Sequence, residues 1–218
     1  MKITKVTLFV LILFCMRPAG LMAQTLKDIE GNVYPTVIIG TQVWMAENLK
    51  TTKYNDGMAM PLVSDNNAWE ALKTPGYCWY NNDAAANKNR FGALYNWYTV
   101  NTKKLCPAGW HVPNDKEWTT LRTYLGGEEI AGGKLKETGT THWTSPNTDA
   151  TNQTGFTALP GGGRRSNGEF FGLGTQGFFW SIAEEMSDTM HWGVGYNHSG
   201  LNTYEDSNGF SIRCVKDN

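Results

Sequence analysis

The sequence has little charge and no surplus of either sign. Asp, Glu, Lys and Arg make up 18% of the 218 residues, with 19 basic side chains against 20 acidic ones. That balance excludes the basic footprint of a nucleic-acid binder. Low charge beside 12% aromatics also excludes a disordered chain, which is charge-rich and aromatic-poor. Glycine is plentiful, at 24, but lacks the every-third-residue period of collagen. Cysteine is scarce, at four, and no apolar run of membrane-spanning length occurs beyond residue 16. What is present reads as one globular domain with many loops and nine tryptophans.

The first segment stands apart. Lys2 and Lys5 precede an apolar run from Val6 to Met16, broken by Arg17-Pro18. Ala19 to Ala23 then offers a cleavage point, which is the layout of a secretory signal over residues 1–23. The run is too short for a comfortable span, which needs about 20 residues. Cys15 invites a lipoprotein reading, but Phe14 is bulky where a small residue is expected. Removing Lys2, Lys5 and Arg17 takes the formal charge from −1 to −4 over residues 24–218. Cys78, Cys106 and Cys214 then remain for an oxidising compartment. Cys106 and Cys214, each in an apolar or strand-like segment, are the preferred bridge, worth about 4–5 kcal/mol on the chain-entropy account. Three buried thiols are the alternative.

Patterning of residues 24–218 predicts many short strands and two or three helices. Val33 to Ile39 reads as a strand ending at Gly40, Gln42 to Leu49 as an extended or mixed piece, and Tyr77 to Tyr80 as another strand. Ala68 to Lys73 and Ala93 to Val100 read as helices. The clearest signal is Asn114 with Glu117, a capping box, followed by Trp118, Leu121 and Leu125 on one helical face. Gly126-Gly127 supplies the stop. Gly132-Gly133, residues 138–155 and Gly161 to Arg165 read as loop. Phe178 to Ile182 reads as a strand core. Met190, Trp192, Val194 and Tyr196 alternate with His191, Gly193 and Gly195, as Phe210, Ile212 and Cys214 do with Ser211 and Arg213. Such alternation argues an antiparallel sheet with one buried face.

Several motifs occur in a fixed order. They are Gly40-Thr41-Gln42-Val43-Trp44-Met45-Ala46-Glu47-Asn48-Leu49, Tyr95-Asn96-Trp97-Tyr98, and Leu105-Cys106-Pro107-Ala108-Gly109-Trp110-His111-Val112-Pro113. Glu117-Trp118, Gly155 to Gly162, Phe179-Trp180-Ser181 and Gly209 to Cys214 follow. Together they resemble the Fibrobacter succinogenes major paralogous domain family over about residues 25–217. The resemblance implies an exported or surface-associated domain of Bacteroidetes-type bacteria. More remotely, the layout resembles C-type-lectin-like and formylglycine-generating-enzyme folds, which implies an irregular α+β domain with short antiparallel sheets, two or three helices and long loops.

The candidate sites follow from side-chain chemistry. Asn81, Asn82, Asp83, Asn87 and Asn89, and separately Asn147, Asp149 and Asn152, carry oxygen ligands of the kind Ca²⁺ takes. Asp83, Asn87, Asp149 and Asn152 are the candidates, although Asn and Asp are also ordinary turn residues. The four histidines lack zincin spacing. His111 fits a structural hydrogen bond, whereas His191 lies on the expected polar side of its strand and could meet a ligand. Ser181 has no glycine-flanked elbow, and Glu184-Glu185 would point to opposite faces of a strand. Trp97, Trp110, Trp118 and Trp180 are expected in the core, and Trp69, Trp143 and Trp192 on a binding surface. Arg164 and Arg165 could clamp an anion. The expectation is a secreted or cell-surface binding module for a glycan or protein ligand, without catalysis and without a cofactor other than the candidate Ca²⁺. An extracellular hydrolase and a purely structural envelope component are the alternatives.

Overall fold

The structure, a computed structural model, describes residues 25–182, 190–205 and 208–217. The expected signal segment, Cys15 and Glu184-Glu185 lie outside the described residues. Along the chain come β1 (Thr25–Lys27), β2 (Val33–Ile39), β3 (Gln42–Met45), α1 (Asn66–Ala71) and β4 (Tyr77–Cys78). A 3₁₀ turn (Tyr80–Asn82), α2 (Ala84–Phe91), β5 (Leu94–Tyr95), α3 (Trp97–Val100) and β6 (Trp110–His111) follow. Next are α4 (Asp115–Tyr124), α5 (Glu128–Leu135), β7 (Gly161–Arg164), β8 (Phe170–Leu173) and β9 (Gln176–Trp180). The last are β10 (Met190–Gly195), β11 (Asn202–Glu205) and β12 (Val215–Lys216). The result is an α+β domain of short, mostly antiparallel strands.

Two five-stranded sheets have the orders β1-β2-β3-β12-β6 and β11-β10-β9-β7-β8, and β4 pairs with β5. Only β7 with β9 is parallel among the named pairs, at Gly162 opposite Gly177. Both sheets carry apolar side chains on both faces. Met45, Phe178, Trp180 and Cys214 enter one core, and their chain neighbours Trp44, Phe179 and Val215 enter the other. The expectation of one buried face is therefore corrected. Alternation here separates two cores instead of core from solvent, and β10 is buried at every position from His191 to Gly195.

Local chemistry explains the elements. Asn114 Oδ1 accepts from Glu117 N at 2.9 Å while Glu117 Oε2 accepts from Asn114 N at 2.9 Å, so both halves of the α4 capping box form. Trp118 and Leu121 are buried beneath it. The Ala68–Lys73 helix begins two residues earlier, because Asp65 caps it through Ala68 N. The Ala93–Val100 helix is shorter than expected. Tyr95 exchanges backbone hydrogen bonds with Phe210 and is held extended, and Asn96 then caps α3 through Thr99 N.

Two glycine passages read as loop are regular. Gly132 and Gly133 lie within α5, where a Cβ would stand 2.1 Å from Gly200 O and 2.6 Å from Asp149 O respectively. Gly161 to Arg164 is β7, and a Cβ on Gly162 would meet Phe171 O at 2.2 Å. Backbone approaches backbone at these points, and only glycine leaves room. Cys106 and Cys214 form the expected disulfide, buried in the first core. Cys78 is free and buried, and burial pushes its thiol up to about 12.

Candidate functional site

A groove of about 630 Å³ runs between α4 and the β2–β3 turn. Its walls are Gly40, Thr41 and Gln42 on one side and Lys116, Thr119, Thr120, Thr123 and Tyr124 on the other. The α4 residues recur at helical spacing, so they share the face opposite Trp118 and Leu121. Tyr124 is 65% exposed. Gly40 allows the ring to sit over the turn: the backbone there has φ +63°, and a Cβ would lie 3.1 Å from the Tyr124 ring.

The width of the groove is set from below. Gln42 Nε2 donates to Glu117 O at 3.0 Å, tying β3 to the first turn of α4. Trp44 Nε1 donates to Gln42 Oε1 at 3.3 Å, so a core tryptophan orients that amide. Glu117 also holds His111 Nε2 at 2.9 Å, and His111 Nδ1 meets Asp217 at 2.6 Å. The Glu117 hydrogen bond, supported by Asp217 against burial, raises His111 to about 9. The expected structural hydrogen bond of His111 is therefore two contacts that anchor the chain end to α4.

The lining can hydrogen-bond a hydroxylated ligand. Thr120 Oγ1 donates to Lys116 O at 2.8 Å, whereas the hydroxyls of Thr41, Thr119 and Thr123 meet no protein partner among the described residues. Lys116 adds an exposed ammonium. The lining therefore combines an aromatic ring, free hydroxyls and one cation.

The residues expected to bind lie elsewhere, and burial corrects most of them. Trp69, Trp143 and Trp192 are 5%, 1% and 0% exposed. Trp143 Nε1 donates to Ala158 O at 3.0 Å, and Trp192 Nε1 donates to Asp115 Oδ1 at 3.1 Å while its ring stacks on Trp118. Trp69 lies beneath the Arg164 guanidinium at 4.6 Å. Arg164 is itself buried and donates to Val63 O, Ser64 O, Gly168 O and Asn66 Oδ1, so it cross-links loops. Arg165 is exposed and lies over Phe171, so the two arginines do not form a clamp. His191 is buried among Phe178, Trp180 and Phe210, because its side of β10 faces the first core. Burial pulls it down to about 4. Of the expected core tryptophans, Trp118 and Trp180 are fully buried, and Trp97 and Trp110 are half-buried against the first core.

Three of the four Ca²⁺ candidates are spent on backbone. Asp83 Oδ1 caps α2 through Ala86 N, and buried Asn87 donates to Tyr80 O at 2.8 Å. Asn152 Oδ1 accepts from Thr157 N at 2.9 Å, and Asp149 is exposed at φ +55°. Among the described residues, no group of three His, Cys, Asp or Glu gathers to hold a metal.

Sequence reasoning missed two buried cations and the groove. Arg213 donates to Asn48 Oδ1 at 2.6 Å, Met45 O at 3.2 Å, Phe156 O at 2.5 Å and Thr157 O at 2.8 Å. It thereby joins three of the motifs quoted above. Lys136 Nζ donates to Thr148 O, Gly195 O and His198 O within 2.9 Å. Burial pulls Lys136 down to about 8. The groove had a signal: three threonines and a tyrosine on the solvent face of a short helix, where poor helix formers have no packing reason to be.

The arrangement defines a domain with two large aromatic cores and a smaller cluster around Trp69, braced by buried cations and carrying an open groove along α4. The family model of the Fibrobacter succinogenes major domain matches residues 37–216, and the chain belongs to that family. No curated protein and no solved structure matches it. Among the described residues, no helix is long and apolar enough to cross a membrane.

Proposed function

We propose that this protein is an exported, non-catalytic binding module of the cell envelope that holds a glycan in the groove along α4. The observation that carries the reading is Tyr124, 65% exposed, in a groove of about 630 Å³ with free threonine hydroxyls beside it. An exposed ring flanked by donors and acceptors suits the apolar face and hydroxyl edge of a sugar. The signal-like segment over residues 1–23 supports export. The remote likeness to C-type-lectin-like and formylglycine-enzyme-like folds supports a loop-rich scaffold of that kind.

A glycan array and a pull-down with the chain from Gln24 onward test the reading. The expected result is a defined set of retained, chemically unchanged glycans. A blank array with a captured protein would transfer the groove to a protein ligand. Cleaved glycans would support the hydrolase alternative, and blanks in both assays the structural one. Cell fractionation, with cleavage after Ala23, tests export.

A further inference from the structure

A second cleft, of about 230 Å³, lies away from the groove and gathers charges of both signs. Its lining includes Glu47, Asn89, Arg90, Glu137, His142 and Thr157. His142 Nδ1 lies 2.8 Å from Glu137 Oε2 and 3.0 Å from Oε1, so the carboxylate holds the ring and fixes the proton on Nδ1. In the neutral ring, Nε2 is then an acceptor, and among the described residues it meets no hydrogen-bond partner. The loop carrying this pair is braced by Asn147 Nδ2, which donates to Glu137 O at 2.8 Å and Gly139 O at 2.7 Å.

One wall of the cleft is anchored to a buried arginine. Thr157, on its wall, has φ +54°, an uncommon conformation for a β-branched residue. Arg213 and Asn152 hold it there through Thr157 O and N. On the rim, Arg90 is exposed and has no acidic partner among the described residues. Glu47 makes a loose ion pair, 3.7 Å to Lys50, and its charge also acts on buried Arg213. A guanidinium, a carboxylate and an imidazole acceptor on the walls of one small cleft complement a molecule bearing both charges.

We propose that this cleft binds a small zwitterion of the α-amino-acid class, its carboxylate on Arg90 and its ammonium between Glu47 and His142 Nε2. The site is separate from the groove and does not rest on the glycan reading.

The test is a titration of the full chain, with histidine rings isotope-labelled, by glycine, glutamate and lysine. The proposal expects a saturable shift of the His142 ring with at least one of them. Arg90→Gln weakens that binding by about tenfold or more, as loss of a charge-assisted pair does. Glu137→Gln, nearly isosteric, weakens it as well, while Tyr124→Ala leaves it unchanged. A His142 ring that ignores all three amino acids would overturn the proposal. So would equal affinity in folded Arg90→Gln, or an equal response to a neutral hexose.

Discussion

Arg213 Nε and Asn48 Oδ1 lie 2.6 Å apart in a buried contact that joins the segment before β12 to the exit of β3. The same guanidinium caps the carbonyls of Met45, Phe156 and Thr157. Its planar fork reaches all four acceptors, which a lysine cannot reproduce. Arg213→Met leaves buried acceptors without donors and should cost about 3–5 kcal/mol. Arg213→Lys should recover only part of that. Urea unfolding measures both, and a loss below about 1 kcal/mol in Arg213→Met would show that the hub is dispensable.

Gly132 offers a sharper test because its helical position argues the opposite way. In an ordinary helix interior, Gly→Ala stabilises by about 1 kcal/mol. Here a Cβ would meet Gly200 O at 2.1 Å, so Gly132→Ala should destabilise by more than about 1 kcal/mol. Gly139 has open space around its Cβ position but φ +77°, so Gly139→Ala should cost only the conformational penalty of about 1 kcal/mol. Thermal unfolding of the pair should therefore place Gly132→Ala below Gly139→Ala.

The His111 contacts to Glu117 and Asp217 make stability depend on pH. The folded value, about 9, lies above the ordinary 6.5, so the contribution is complete below pH 6.5 and is lost as pH rises through 9. This contribution falls across that window, and His111→Gln should remove it from the measured slope. The site is more than one-third exposed, so the effect is modest and shrinks with added salt. An unchanged slope in the variant would assign the pH dependence to other groups.

The cysteines should separate cleanly in a labelling experiment. Cys106 and Cys214 are bonded and Cys78 is buried, its thiol held protonated. Native protein should leave Cys78 unlabelled by a thiol reagent, and unfolding without reductant should expose it, with peptide mapping to confirm the position. Replacing Cys106 and Cys214 by alanine should cost about 4–5 kcal/mol, since the bridge spans 108 positions. Rapid native labelling of Cys78 would contradict its burial.

Local signals carried α4, β2 and β10, because a capping box, an apolar stripe and a short period-two run are decided within about ten residues, whereas β7 reads as loop. The Cys106–Cys214 bridge was legible from three thiols expected in an oxidising compartment and their apolar surroundings, although neither cysteine lies in a strand. The α+β class was legible from mixed strand and helix patterning together with the family resemblance. Side-chain exposure was not. Trp143 and Trp192 sit near polar stretches in the sequence, yet long-range packing encloses them, and His191 faces the first core, which no period-two pattern distinguishes from solvent. Gly132 and Gly162 read as loop because the backbone they must admit belongs to other elements, at Gly200 and Phe171 respectively, and leaves no trace beside the glycine itself. The groove was partly visible in the threonines of α4. The Glu137–His142 cleft was not, since its walls come from four separate stretches.

The central claim is that ligand meets this domain at Tyr124. The most direct measurement is the affinity of the best array glycan for the wild type and for Tyr124→Ala, with unfolding temperatures compared alongside. An exposed ring contributes little to the core, so the variant should fold normally while binding falls about tenfold or more. Equal affinity in a folded Tyr124→Ala would contradict the account and move the binding surface off α4.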